Sequence, residues 1–294
     1  MSETRWSGSD LLVELRRFES ELRAAGLRDH TVETYVGRSE TFIRWLRGEY
    51  TPRGPSRVLG EADQAAKRSL GLATLDDFRT NMSREEIARY LADYAAVTSY
   101  DVSFRRLTGS TGDRLDLRSE TDRVAVIDWL RAWGCRHLRR TDTHRTAEAL
   151  RLWWEEWGDA LPAPETALTQ LSDPGLLIVE RAYDALWSAP AAGRSRQGRE
   201  IDVHFGDTAA AKVMFAARPN AFLPWDDPIR LAFGWRGGGA AYVELLRLSA
   251  SALNGLARRL ATSVSDLPQI LRRPDSSPPK LVDEFLWIRI TKGP

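Results

Sequence analysis

Asp226 and Asp227 stand side by side, with Trp225 before them and Pro228-Ile229-Arg230 after. A small-residue segment beginning at Thr208 leads into them through a proline-bearing loop. A carboxylate delivered to the start of a helix, with an indole beside it, can stabilise developing positive charge or activate a water. The helix N-terminus favours its ionised form. The same residues also make an ordinary helix start, because Asp is a preferred N-cap and Pro a preferred first-turn residue. Nowhere else does the sequence gather potential chemistry so tightly. The four histidines (His30, His137, His144, His204) lack the spacing of a metal-binding helix, and neither a Gly-x-Ser-x-Gly elbow nor a P-loop is present. His204, close to the acidic segment in sequence, is a candidate substrate contact and equally a plain surface histidine.

The chain has 294 residues, 43% of them hydrophobic and 28% charged, and a net charge of +1. That is the composition of a globular protein with one large core or two modest ones. Any nucleic-acid surface must be a local patch on it. Only four basic residues are lysine (Lys67, Lys212, Lys280, Lys292), so Arg carries the positive charge. Arg suits bidentate phosphate contacts, and a GC-rich genome produces the same bias. The single cysteine, Cys135, leaves no cysteine zinc site, iron–sulfur cluster or internal disulfide. No metal and no cofactor is expected. No run approaches the roughly 18–20 apolar residues that span a bilayer, and no signal-peptide core begins the chain, so a cytoplasmic protein without a membrane partner is expected. Most of the eleven tryptophans read as core.

Helical periodicity predominates, and the fold class is read as all-α. Leu11, Leu15, Phe18 and Leu22 share one face, closed by Gly26. Asp29 opens a second helix with Val32, Tyr35, Phe42, Ile43, Trp45 and Leu46, stopped by Gly48 and the Pro52–Pro55 cluster. Residues 53–82 read as a linker with a short helical piece. Ser83 and Glu86 form a capping box, residues 107–123 a loop, and Asp173-Pro174 a helix start. Further helices centre on Val124–Leu130, Leu150–Trp157, Leu176–Trp187 and Ala240–Thr262. Residues 188–200 are small, basic and expected at the surface. Strand-like alternation is confined to Trp287–Thr291. Trp235-Arg236-Gly237-Gly238-Gly239 follows no strand and reads as a flexible turn rather than a nucleotide cradle.

The first fifty residues, through Leu12, Phe18, Leu22, Gly26-Leu27, Thr31, Tyr35, Phe42 and Trp45-Leu46, resemble the SAM-like core-binding domain of tyrosine recombinases and phage integrases. The resemblance implies a helical bundle over residues 1–52 that grips the DNA backbone. Arg38, Arg44 and Arg47, on the polar side of the second helix, then meet phosphates, or else lie on a solvated face. The recombinase catalytic domain is missing: His137-Leu138-Arg139-Arg140 has a His-x-x-Arg spacing, but the arginine, histidine and terminal tyrosine do not follow.

The acidic segment resembles the catalytic core of helix-hairpin-helix DNA glycosylases. Gly206-Asp207-Thr208-Ala209 stands for the hairpin exit, Ala210–Ala217 for the helix, Pro219–Pro224 for the loop and Asp226-Asp227-Pro228-Ile229 for the aspartate element. Phe222-Leu223-Pro224 is similar to the alkylpurine branch. The resemblance implies a glycosylase-like helical domain over residues 83–294 that acts on DNA. Asp226 is the better match for the catalytic carboxylate, given Ile229 three residues on, and Asp227 is the second candidate. Trp225 and Trp235 would wall the base pocket, with His204 near it. Gly206, Thr208, Lys212, Arg230 and Arg236 would meet DNA. Thr208, or Asp207 in the shifted register, occupies the lysine position of bifunctional members, so activity would be monofunctional. The family's glycine hairpin is reduced here to Val203-His204-Phe205-Gly206. The expected function is excision of a damaged or modified base. The integrase-like module points to a mobile-element or phage-defence context, with a modified phage base as one substrate. The alternative is a non-catalytic DNA-binding or assembly protein with the same fold.

Overall fold

The computed structural model describes residues 8–27, 29–47, 61–98, 100–112, 114–196 and 199–293. The Gly48 and Pro52–Pro55 stop signals lie outside them. The chain divides into two units, residues 1–59 and 60–294. It is all-α, with one two-stranded ribbon among the described residues.

In the first unit α1 (Gly8–Ala24) and α2 (Asp29–Leu46) pack as a hairpin, turned by Gly26 at φ +75°. Leu15, Val32 and Ile43 are buried. Phe18, Tyr35, Phe42 and Leu46 are exposed, although their spacing reads as core.

The second unit begins with α3 (Glu61–Asp76), which runs into a five-residue π-turn, Asp77–Asn81. The residues expected as linker are therefore helical from Glu61 onward, and α3 packs against later helices. Next come α4 (Arg84–Val97), α5 (Tyr100–Thr111), α6 (Glu120–Ala132), α7 (Thr143–Trp157) and α8 (Asp173–Ser188). The Ser83–Glu86 capping box forms at α4, and α5 occupies the first part of the expected loop. Ser172, one residue before Asp173, caps α8.

After α8 the chain forms an antiparallel ribbon, β1 (Pro190–Arg196) with β2 (Arg199–His204). This corrects two expectations. Within the segment expected only as small, basic and exposed, Pro190–Arg196 and Arg199 onward form a paired ribbon. The element joining α8 to the next helix is a β-ribbon rather than a glycine hairpin. The ribbon is anchored on α7, where the Thr146 hydroxyl donates to the Ala191 carbonyl at 2.7 Å.

The remaining helices are α9 (Gly206–Ala217), α10 (Asp227–Ala232), α11 (Gly239–Arg259), α12 (Leu267–Ile270) and α13 (Pro278–Lys292). The expected strand at Trp287–Thr291 is the end of α13. Every residue from Pro279 to Leu286 is buried, and α13 packs against α3, α4, α10, α11 and α12. The misread tail is partly exposed, and its β-branched Ile288, Ile290 and Thr291, the isoleucines alternating with Trp287 and Arg289, mimic a strand. Helix α9 is enclosed like the first turns of α13: Ala209 through Phe215 are all buried, and its alanines allow close approach to α8 and α6.

Candidate active site

Helices α9, α10 and α13 hold the acidic segment. Asp226 is the N-cap of α10, with extended backbone, and its Oδ1 accepts the Ile229 N–H at 3.4 Å. Its Oδ2 accepts the Trp287 indole N–H at 3.1 Å, so α13 supplies the second donor. Burial pushes the carboxyl above its ordinary range, opposed by the Ile229 N–H, the Lys212 charge and the Trp287 indole. Asp227 points outward and pairs with Arg230 at 2.8 Å. Both residues thus serve the helix start. Asp226 is also fixed from two directions in a largely apolar surrounding.

A buried ionic cluster adjoins it. Lys280 donates to the Asp283 carboxylate at 2.7 Å and to the Tyr94 hydroxyl at 2.8 Å. Arg273 makes two hydrogen bonds to Glu284, both at 2.8 Å, and meets Asp101. The Lys280 ammonium lies 4.3 Å from the Tyr94 ring centre and 5.4 Å from that of Trp133. Lys212 lies on Trp133 as well, 4.9 Å from its ring centre, and donates to the Trp133 carbonyl at 2.5 Å. Burial raises the Asp283 carboxyl to about 6 against the pull of Lys280, and the Asp226 charge adds to the rise. Burial likewise raises the Tyr94 hydroxyl to about 12. Lys280 is held above its usual value: burial opposes its charge, and Asp283, Tyr94 and Glu284 more than offset burial. Lys280 reaches the wall of a cavity of about 280 Å³, together with Asp101, Phe104, Arg105 and Phe215. Buried charges removed from water gain little net stability over well-packed apolar side chains. A cluster of this kind beside a fixed carboxylate is where altered acidity and function tend to coincide.

The other expected residues fall elsewhere. Trp225 is 1% exposed, so it forms core rather than an open base wall. It packs edge-on to Tyr183 and Tyr242, and its indole donates to the Tyr183 hydroxyl at 3.0 Å. Trp235 is half-buried, stacked on Phe233 with ring centres 4.5 Å apart. Lys212 is enclosed and cannot reach a DNA phosphate. Arg230 is spent inside the protein, on Asp227 and the carbonyls of Trp235 and Arg236, with Asp207 3.9 Å away. Arg236 and His204 are exposed, and His204 Nδ1 meets the Ser188 carbonyl. Gly206, at φ +68°, and Thr208 sit half-exposed at the start of α9. Arg38 and Arg44 are exposed on α2, in the first unit.

The glycine turn before α11 is clamped rather than flexible. Asp207 accepts the Gly238 N–H at 2.8 Å, and Asp184 accepts the Gly239 N–H at 2.6 Å. A Cβ at Gly237, where φ is +117°, would lie 2.4 Å from the Asp207 carboxylate. One at Gly239 would lie 2.4 Å from the Glu180 carbonyl. Carboxylates of the protein therefore occupy the N–H groups that a phosphate would need.

Sequence reasoning missed Lys280, Asp283, Glu284, Tyr94 and Trp287. The available signal was charge inside the otherwise apolar run from Leu281 to Ile288. Among the described residues no group of three or more His, Cys, Asp or Glu is placed to hold a metal, and no helix is long and apolar enough to cross a membrane. Comparison with protein families, characterised proteins and solved structures finds no match to this chain.

Proposed function

We propose that the chain is a monofunctional DNA glycosylase in which Asp226 stabilises the breaking sugar–base bond. The observation that supports this reading is the coincidence of a doubly fixed, half-buried carboxylate with a buried ionic cluster reaching a cavity. As the bond from C1′ to the base nitrogen breaks, the sugar becomes cationic and the base departs with the electron pair. A carboxylate near C1′ stabilises that cation. Water then adds to C1′, giving up a proton to Asp226, and the released base takes a proton from solvent. Thr208 offers no amine, so no Schiff base forms and the products are a free base and an abasic site. A base must leave the duplex stack to reach such a site. The donors and acceptors near Lys280 suit the polar edge of a base. Substrate entry must open the Trp287–Asp226 hydrogen bond.

A second reading, a non-catalytic DNA-binding or assembly protein, is favoured by two observations. Both Asp226 oxygens already have protein donors, and Trp225 lies in the core. The discriminating experiment incubates the protein with duplexes carrying uracil, hypoxanthine, alkylated purines or glucosylated cytosine, followed by alkali. Strand breaks that vanish in Asp226→Asn support excision, because Asn preserves the cap and hence the fold. Tight binding with no abasic sites on any of these duplexes supports the second reading.

A further inference from the structure

Most arginines of the second unit are spoken for, by a carboxylate, a carbonyl or an aromatic ring. Four that are not gather at the ribbon. Arg136, Arg139 and Arg140 follow α6 in the turn that leads to α7, and Arg194 lies on β1. All four are exposed, and none has a side-chain partner among the described residues. The turn Arg140–Asp142 packs against β1, and His137 Nε2 lies 3.1 Å from the Phe205 carbonyl at the end of β2, so the two elements form one surface.

The ribbon sorts its charges by face. The register pairs Gly193 with Asp202 and Ser195 with Glu200, while Arg194 pairs with Ile201 and Arg196 with Arg199. Alternation puts the two acids on one face. Arg145 of α7 meets both there, contacting Asp202 and lying 3.7 Å from Glu200. The arginine positions share the opposite face, with Ile201 41% exposed among them. The two acids are exposed but matched by Arg145, while Arg194 on the opposite face has no acid beside it.

We infer that the ribbon and the Arg136–Arg140 turn form a grip for the phosphate backbone of duplex DNA. The inference rests on the DNA reading above and adds to it the surface that holds the duplex. Unpaired guanidinium groups suit phosphate oxygens, and a two-stranded ribbon fits the width of the DNA major groove. The grip is sequence-neutral and salt-sensitive, because phosphate contacts release counterions.

The test uses the full chain and a fluorescein-labelled duplex of random sequence, followed by anisotropy between about 50 and 200 mM salt. The variant carries Arg136→Ala, Arg139→Ala, Arg140→Ala and Arg194→Ala. A control carries Arg181→Ala and Arg258→Ala, two exposed arginines elsewhere in the unit, and thermal melting verifies that both fold. The expected result is at least tenfold weaker binding for the variant. Its slope of log affinity on log salt should fall by about 3, with the control unchanged. Equal affinity and slope in wild type and variant would overturn the grip while leaving the DNA reading standing. If the wild-type chain binds no duplex, or prefers single-stranded RNA or anionic vesicles, both fall.

Discussion

Two parts of the second unit spend their carboxylates in opposite ways. At the start of α11, Asp207 and Asp184 accept backbone N–H groups that would otherwise be orphaned at a helix end, and the glycines exist because those carboxylates come so close. Each charge there has a structural task, at the edge of solvent. At the start of α13, Lys280, Asp283 and Glu284 are sealed among apolar side chains, where leucine and methionine would fill the space without a desolvation penalty. The first arrangement explains itself as architecture. The second is costly and has no comparable structural return, which is the reason to connect it with chemistry at Asp226.

The severest way to break this contrast is Lys280→Met. It strands the buried Asp283 carboxylate, while Glu284 keeps Arg273, and should lower stability by about 3–5 kcal/mol in urea unfolding. Adding Asp283→Leu to the same chain should recover most of the loss. A harmless Lys280→Met would mean that the cluster is not held as ion pairs. At the clamp, Gly237→Ala forces a side chain into the Asp207 carboxylate at a positive φ and should cost about 1–3 kcal/mol, read as a lower Tm. If it matches wild type, the turn is as loose as its glycines alone imply.

Next in size is a pH effect. The folded-state value of Asp283 is raised to about 6, above its ordinary 3.8. Between those values the folded chain binds more protons than the unfolded chain. The contribution is therefore fully present below about pH 4 and is lost as pH rises through 6. It should amount to about 1–2 kcal/mol, seen as a higher urea midpoint at pH 5 than at pH 7 in wild type relative to Asp283→Asn. A variant with the same pH profile as wild type would remove Asp283 as the titrating group. The smallest effect on stability belongs to Asp226→Asn, about 1 kcal/mol, since Asn keeps the cap bond to Ile229 but turns an N–H toward the Trp287 indole donor. Its effect on base release should be at least about 100-fold. A large loss of stability with no loss of activity would return Asp226 to the architectural class.

Much of this was legible in the sequence where local chemistry decides the structure. The Ser83–Glu86 capping box, the Asp226-Asp227-Pro228 start and the periodic faces of α6, α7 and α11 follow from residues within a turn or two of each other. The ribbon was not legible. Ala, Gly, Ser and Arg have little strand preference, and the pairing depends on anchorage to Thr146, some forty-five residues upstream of Ala191. Pro279–Leu286 reads as a short helix, and only the last turns of α13, Trp287–Thr291, misled, because Ile288, Ile290 and Thr291 are β-branched and the isoleucines alternate with Trp287 and Arg289. Asp226 was identifiable as an N-cap. Its tie to Trp287, sixty-one residues away, and the Tyr94–Lys280 bond across 186 residues depend on tertiary packing that no local spacing encodes. The tryptophans show the same limit. Trp225 looked like an exposed wall because it adjoins an acidic pair, yet its neighbours in space are Tyr183 and Tyr242.

The Trp287–Asp226 bond also has a consequence for the order of assembly. During synthesis the chain emerges from its N-terminal end, so α3, α4 and α9 are available long before α13. Until Pro278–Lys292 has been made and docked, Asp226 lacks its indole donor and Tyr94 lacks its lysine. The nascent protein then carries an open apolar groove with an unengaged carboxylate at its edge. Docking of α13 fills the groove and completes the ionic cluster in one event. The indole donor to Asp226 and the Lys280 bond to Tyr94 are thus acquired together, and a ribosome-stalled or clipped chain lacking α13 would have neither.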